Sequence, residues 1–149
     1  MSPKKKRKAK EGSKKTKKEV KGLDIVNLKD APALDVGIKG LTLKILCGKG
    51  APTATENLVV GYLFLEPGAV IESHHHDYEE FQYVLSGTGI LEDTKGNKTE
   101  LRPEMGFYCP SGPEGVHKIT NTGDYQLNIL FIHSTEKGGK MPQLTWSDD

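Results

Sequence analysis

Two histidines one residue apart, with a glutamate four residues after the second, form the part of this sequence best suited to chemistry. Side chains alternate between the two faces of a β-strand, so His74 and His76 share one face while His75 points to the other. Glu80 arrives from the next predicted strand, and His117 supplies a third imidazole further along the chain. Three nitrogens and one carboxylate oxygen suit Fe, Mn, Ni, Cu or Zn better than Mg or Ca. The pattern therefore predicts a site for one divalent transition metal ion.

The predicted elements that position these residues are all short β-strands. Apolar runs are separated by Gly, Pro and Asn turn signals, and no segment after residue 22 has a sustained helical period. The strands are predicted at residues 41–46, 58–65, 70–71, 79–86, 89–91, 98–101, 106–108, 116–120 and 125–132. Such a series of closely spaced strands in 149 residues indicates one all-β domain, either a sandwich or a barrel.

The spacing of glycines around the histidine pair resembles the cupin family. The first motif of that family is a glycine, five residues, His-x-His, three or four residues, a glutamate, six residues and a glycine. The positions that match this motif without a gap are Gly68, His74, His76, Glu80 and Gly87. The resemblance covers about residues 40 to 133 and implies a double-stranded β-helix, also called a jelly-roll barrel.

A second cupin motif is matched in part. Gly106, His117 and Asn121 fit its spacing, whereas the Pro-x-Gly element between them is displaced within residues 110–115, which indicates a rearranged loop. By the resemblance, one metal ion would be held at the mouth or interior of the barrel by His74, His76, Glu80 and His117.

Four further side chains are candidates for a substrate pocket. Gln82 shares the strand face of Glu80, so it is predicted either to orient a substrate or to fix the tautomer of a metal-binding histidine. Tyr108 lies near the site in sequence and could stack on a ligand or pack in the core. Tyr62 lies on a strand whose inward face the sequence does not define, and His133 ends the last predicted strand. No separate catalytic base is assigned.

The opposite face of the Glu80 strand is apolar and needs a cover. Phe81, Tyr83 and Leu85 share that face and would meet water in an isolated barrel. Either the segment around residues 24–46 or a second subunit is expected to cover them, and the resemblance to cupins favours a homodimer. Cys47 and Cys109 do not form a disulfide framework, and Cys109 is expected to be a buried structural thiol.

The net charge of +1 conceals two different regions. Residues 1–22 carry a formal charge of +9 and almost no apolar side chains, so this tail is predicted to be disordered. Pro3–Lys8 resembles the basic nuclear-import signal of a viral large T antigen. Residues 3–18 would therefore bind an import receptor or, weakly and without sequence specificity, a polyanion. The alternatives are a solubilising tail or a segment added to the natural chain.

The predicted organisation is a basic tail at 1–22, a cupin barrel at 23–135 with its core at about 40–133, and an extension at 136–149. No signal peptide or bilayer-spanning stretch is evident, so a soluble intracellular protein is expected, without a membrane partner, and cytoplasmic unless the basic run directs it to the nucleus. Two functions compete. One is a metal-dependent enzyme on a small organic substrate, with oxygenase chemistry favoured over isomerase, lyase or decarboxylase chemistry. The other is a non-catalytic dimerisation or ligand-sensing module.

Overall fold

The computed structural model of the chain describes residues 22–134 and 145–146, and nearly all regular structure in that part is β-strand. There are also two single-turn 3-10 helices: Leu28–Asp30 precedes the first strand, and Pro113–Gly115 lies between two later strands. The strands are β1 (Ala33–Leu34), β2 (Leu41–Cys47), β3 (Leu58–Leu65), β4 (Val70–His75), β5 (Glu80–Ser86), β6 (Gly89–Glu92), β7 (Lys98–Leu101), β8 (Gly106–Cys109), β9 (His117–Thr120), β10 (Leu127–Ser134) and β11 (Thr145–Trp146).

The strands form two antiparallel sheets that enclose one core. The first sheet has six strands in the order β1-β2-β3-β10-β5-β8, and the second has five in the order β11-β4-β9-β6-β7. Alternating side chains from both sheets meet in one cluster, to which Leu63 and Val84 contribute from the first sheet and Ile71 and Ile119 from the second. Each fully buried aliphatic side chain of this kind stabilises the fold by roughly 1.5–3 kcal/mol. The predicted all-β fold is confirmed.

Strand β4 contains a bulge that changes which residues face the core. Ile71 pairs with Ile119 and His74 pairs with His117, so two residues of β4, Glu72 and Ser73, lie opposite one residue of β9. Ile71 and His74 are therefore both buried, although strict alternation would place them on opposite faces. The bulge divides β4 into an apolar half that packs in the core and a histidine half that faces the interior at the other end of the sheets.

A buried asparagine fastens the end of the sandwich where β3 and β9 finish. Asn121 is 1% exposed, and its side-chain amide donates to the carbonyl oxygens of Leu65, at 2.8 Å, and Tyr125, at 2.9 Å. Its side-chain oxygen accepts a hydrogen bond from the backbone N–H of Gly123 at 2.9 Å. One side chain thus joins a strand end of the first sheet to the turn that leaves the second.

The predicted tail and most of the predicted C-terminal extension lie outside the described residues, so the domain boundaries stay predictions. The exception is β11, whose Thr145 and Trp146 pair with His75 and His74 at the edge of the second sheet. The described residues contain no helix with the length and hydrophobicity that a bilayer span requires.

Candidate metal centre

Three of the four predicted ligands converge because β4 and β9 are neighbours in the second sheet. His74 and His117 are directly paired across the ladder, and His76 follows at the end of β4. The three side chains are 4–5% exposed, and their candidate ligand nitrogens all lie within 4.8 Å of one another. The fourth, Glu80, is 5% exposed and begins β5 in the opposite sheet. A carboxylate thus reaches the histidines from across the sandwich.

Backbone carbonyls fix the tautomers of two histidines. A carbonyl oxygen only accepts hydrogen bonds, so the Nδ1–H of His74 donates to Glu72 O at 2.8 Å and that of His117 donates to Gly115 O at 2.7 Å. In both rings the lone pair is consequently on Nε2. The Nε2 atom of His117 is buried and has no hydrogen-bond partner within the described part of the chain. An inward lone pair without a donor is what a metal ion would satisfy, so these residues fit one.

The carboxylate of Glu80 is held by two neighbours. Glu80 Oε1 lies 3.2 Å from His76 Nε2 and accepts a hydrogen bond from Gln82 Nε2 at 2.9 Å. Burial raises the pKa of this carboxyl, but the hydrogen bonds from His76 and Gln82 and the attraction of His76 outweigh burial and hold the pKa below its usual value. Glu80 therefore remains an ionised carboxylate at neutral pH, as an oxygen ligand must be.

Burial also keeps His74 and His117 in the neutral form that binds metals. It lowers the pKa of His74 to about 4, with repulsion from His117 as the next cause. Burial likewise lowers the pKa of His117, against the hydrogen bond to Gly115 O. Both imidazoles are thus neutral near pH 7, and no proton has to leave them before a metal binds.

Cys109 lies nearer to this centre than the sequence indicated. It pairs with Glu80 between β5 and β8, and its Sγ lies 3.7 Å from His117 Nδ1. Glu80, Cys109 and His117 form a second group whose candidate ligand atoms lie within 4.8 Å of one another. Burial raises the pKa of the thiol to about 12, and a protonated thiol is a poor metal ligand. The expected description of Cys109 as a buried thiol thus fits its surroundings.

The four predicted ligands line a cavity of about 520 Å³ between the two sheets. Its walls are mostly aliphatic, with Leu63 and Ile71 from the core and Leu34, Val36 and Ile38 from the segment before β2. A space of this size suits a small organic molecule.

Two of the four predicted pocket residues, Gln82 and His133, line this cavity, whereas Tyr62 and Tyr108 do not. Tyr108 is 57% exposed and donates a hydrogen bond to Glu79 at 2.8 Å, because alternation along β8 turns it outward between Phe107 and Cys109. Tyr62 is on the outward face of β3, where its ring contacts Phe64. For these two residues the pocket assignment is corrected.

Among the cavity residues that the sequence did not single out, Tyr78 lies against two histidines. Its ring stacks on His76 at a centroid distance of 4.6 Å and contacts His133 at 4.0 Å. It belongs to the connection between β4 and β5, where strand alternation assigns no facing direction. In the sequence, only its position midway between His76 and Glu80 indicated that Tyr78 could lie near the site.

Comparisons with known proteins agree with this geometry. Residues 61–133 match the family model described as "Cupin domain". The chain is 30% identical over 126 residues to an auxin-binding protein from Nicotiana tabacum, covering 77% of this chain and 66% of that protein. It is 28% identical over 94 residues to a 5-nitrosalicylic acid 1,2-dioxygenase from Bradyrhizobium sp., covering 63% of this chain and 44% of that one. The chain thus spans only part of both relatives.

A solved structure shares the fold. The polyketide cyclase RemF from Streptomyces resistomycificus superposes with a TM-score of 0.72 at 21% identity, covering 85% of this chain and 87% of that one.

Proposed function

Because this chain belongs to the cupin superfamily, we propose that its buried ligands bind one divalent transition metal ion and that the protein is a metal-dependent enzyme acting on a small organic molecule. The observation that carries the proposal is the unpartnered Nε2 of His117, which is buried beside His74 and His76. Four protein ligands leave one or two coordination positions for a substrate or dioxygen on a metal that accepts five or six ligands. A metal bound there would serve as a Lewis acid or as a template for two reactants.

Oxygenase chemistry is the reaction class that we favour. The relative from Bradyrhizobium is a dioxygenase by name, and its match covers 63% of this chain. The residues of this chain would keep the ligands oriented: the carbonyls of Glu72 and Gly115 hold two imidazoles, and Gln82 holds the carboxylate. The aliphatic walls would exclude bulk water from the reacting atoms.

The competing function is ligand binding without turnover. The relative from Nicotiana is named for binding auxin, and its match covers 77% of this chain. A sensing module and an oxygenase are separated by oxygen consumption. Protein loaded separately with Fe, Mn, Ni, Cu or Zn would be mixed with hydroxyaromatic and hydroxy-keto compounds in an oxygen electrode. Uptake that depends on both metal and compound supports the oxygenase, whereas tight binding without uptake for any loaded metal refutes it.

The metal site itself is tested by single substitutions in protein purified without a polyhistidine tag. His74→Ala, His76→Ala, Glu80→Ala and His117→Ala should each lower the metal content measured by elemental analysis. His75→Ala is the matched control, because this adjacent imidazole does not line the cavity. Stoichiometric metal in the first four variants would refute the site.

We also propose that a second copy of the chain covers the outer face of the six-stranded sheet. Phe81, Leu85 and Ile132 on that face are 44%, 36% and 36% exposed, which leaves large apolar side chains in contact with water. Sedimentation of the full chain should give a dimer, and Phe81→Glu should give a monomer with unchanged metal content. A monomeric full chain would refute the proposal.

Nuclear import through Pro3–Lys8 remains a proposal about residues outside the described part of the chain. Fusion of residues 1–22 to a fluorescent reporter should move the reporter into the nucleus, and Lys5→Thr should abolish the effect. A reporter that stays cytoplasmic would favour the solubilising or polyanion-binding role of the tail.

A further inference from the structure

The orientation of the Gln82 amide is set by its neighbour. An ionised carboxylate only accepts hydrogen bonds, so the NH₂ group of Gln82 must face Glu80 Oε1, at 2.9 Å, and the carbonyl oxygen must face away. Gln82 is 3% exposed, and its Oε1 is buried without a hydrogen-bond partner among the described residues. A buried acceptor without a donor is costly, and in native proteins such an atom calls for an explanation.

A ligand in the cavity would supply the donor that this oxygen lacks. Gln82 is one of its lining residues, on the same strand face as Glu80 and two residues further along β5. A ligand whose oxygen atoms reach a metal ion bound at these residues would therefore lie beside the Gln82 side chain. We propose that Gln82 Oε1 accepts a hydrogen bond from this ligand, and that the protein selects small molecules with a donor-bearing chelating head and an uncharged, apolar body.

The residues that line the cavity indicate that the body of the ligand is uncharged. Among the described residues that line the cavity none is Lys or Arg, and the single carboxylate is Glu80. A divalent ion held by three neutral imidazoles and one carboxylate carries a net charge of +1, which a monoanionic head neutralises. A second anionic group in the body would then be buried against Leu63, Ile71 and Phe131 without a counter-charge. Phosphorylated or dicarboxylate ligands are therefore disfavoured.

This inference rests on the proposed metal site, and three related probes test it separately. Benzohydroxamic acid chelates metal ions through two oxygens as a monoanion, has an apolar ring and keeps an N–H donor. N-methylbenzohydroxamic acid lacks the donor, and 4-carboxybenzohydroxamic acid adds a negative charge to the body. Binding of each to the metal-reconstituted protein would be measured by isothermal titration calorimetry, with metal content measured in the same samples.

The expected result is that the parent probe, benzohydroxamic acid, binds about tenfold more tightly than the N-methyl probe. The N-methyl probe cannot donate a hydrogen bond to Gln82 Oε1, and a buried acceptor left without its donor costs about this much affinity. The 4-carboxy probe should also bind at least about tenfold more weakly than the parent. In Gln82→Leu, which has similar volume and no acceptor, the ratio between the N–H and N-methyl probes should fall to about one. Gln82→Met, with an unbranched side chain, repeats the test if the leucine variant does not fold.

The outcomes separate the two proposals. If no metal is retained after reconstitution, the metal site is wrong and this inference fails with it. If metal is retained and the N-methyl penalty is absent, or equally large in Gln82→Leu because of steric bulk, the role of Gln82 is refuted while the metal site stands. If the 4-carboxy probe binds as tightly as the parent, the uncharged body is refuted.

Discussion

Acid should destabilise the metal-free protein well above the pH at which carboxylates titrate, because the fold buries neutral imidazoles. His74 is 4% exposed, and burial lowers its pKa to about 4 from an ordinary value near 6.5. The unfolded chain therefore binds a proton at this residue as the pH falls through 6.5, whereas the folded chain does not until about pH 4. The stabilisation is fully present above pH 7 and is lost as the pH falls.

The magnitude follows from linkage. With pKa values of about 4 folded and 6.5 unfolded, His74 alone should lower the free energy of unfolding by about 2 kcal/mol at pH 5 and about 3 kcal/mol at pH 4. Burial lowers the pKa values of His117 and His133 in the same direction, so they add to this loss. The pKa of Glu80 is also lowered, and its contribution is lost at a still lower pH.

The assay is urea denaturation of chelator-treated protein at pH 7.5, 6.5, 5.5 and 4.5, comparing the wild type with His74→Gln. Glutamine does not titrate, so the variant should lose less stability than the wild type over this range, by about 2–3 kcal/mol. Bound metal should steepen the wild-type dependence, since only deprotonated imidazoles bind it. Parallel pH profiles for the two proteins would refute the argument that His74 is buried in its neutral form.

Three further perturbations test separate features. Asn121→Ala should lower the free energy of unfolding by about 2–4 kcal/mol, because it removes the partner of the buried Leu65 carbonyl and of two part-buried backbone groups, at Tyr125 and Gly123. The exposed Asn97→Ala should cost under about 1 kcal/mol in the same denaturation assay. A thiol reagent at pH 8 should modify the half-buried Cys47 and spare Cys109 until the protein unfolds, and equal rates would contradict the buried, protonated thiol. Gly115→Ala should weaken metal binding by about tenfold or more in a chelator competition, because the added methyl would collide with the Pro110 carbonyl and the backbone shift would move the carbonyl that orients His117. The same shift should lower the free energy of unfolding, and unchanged metal affinity would contradict the positioning role.

Periodicity predicted those parts of the site that lie on regular strands. Glu80 and Gln82 share an inward face of β5, and Phe81 is turned outward, as alternation requires. The histidine pair was found through its own spacing and the glycine frame. Counting alternate residues from the buried Ile71 would have placed His74 on the outer face, because the bulge in β4 shifts the alternation by one residue.

Other features depended on three-dimensional packing that the sequence does not encode locally. Tyr78 lies in a connection, so its contact with His133 depends on how β5 and β10 pair. Cys109 reaches the centre only because β8 adds to the edge of β5. The outward direction of Tyr62 could not be predicted, because β3 is a continuous apolar strand and its sequence does not show which face meets the opposite sheet.

The bulge in β4 is a position at which related chains could differ in length by one residue. The two residues between Ile71 and His74 lie opposite a single residue of β9, so one of them is surplus to the ladder. Loss of Ser73 would leave a regular strand in which Ile71 still meets Ile119 and His74 still meets His117. A one-residue gap at this point in related chains would therefore preserve the direction of the ligands, although it would break the fixed glycine-to-histidine count. Alignments of distant relatives are better anchored on the histidine pair itself than on the glycine that precedes it.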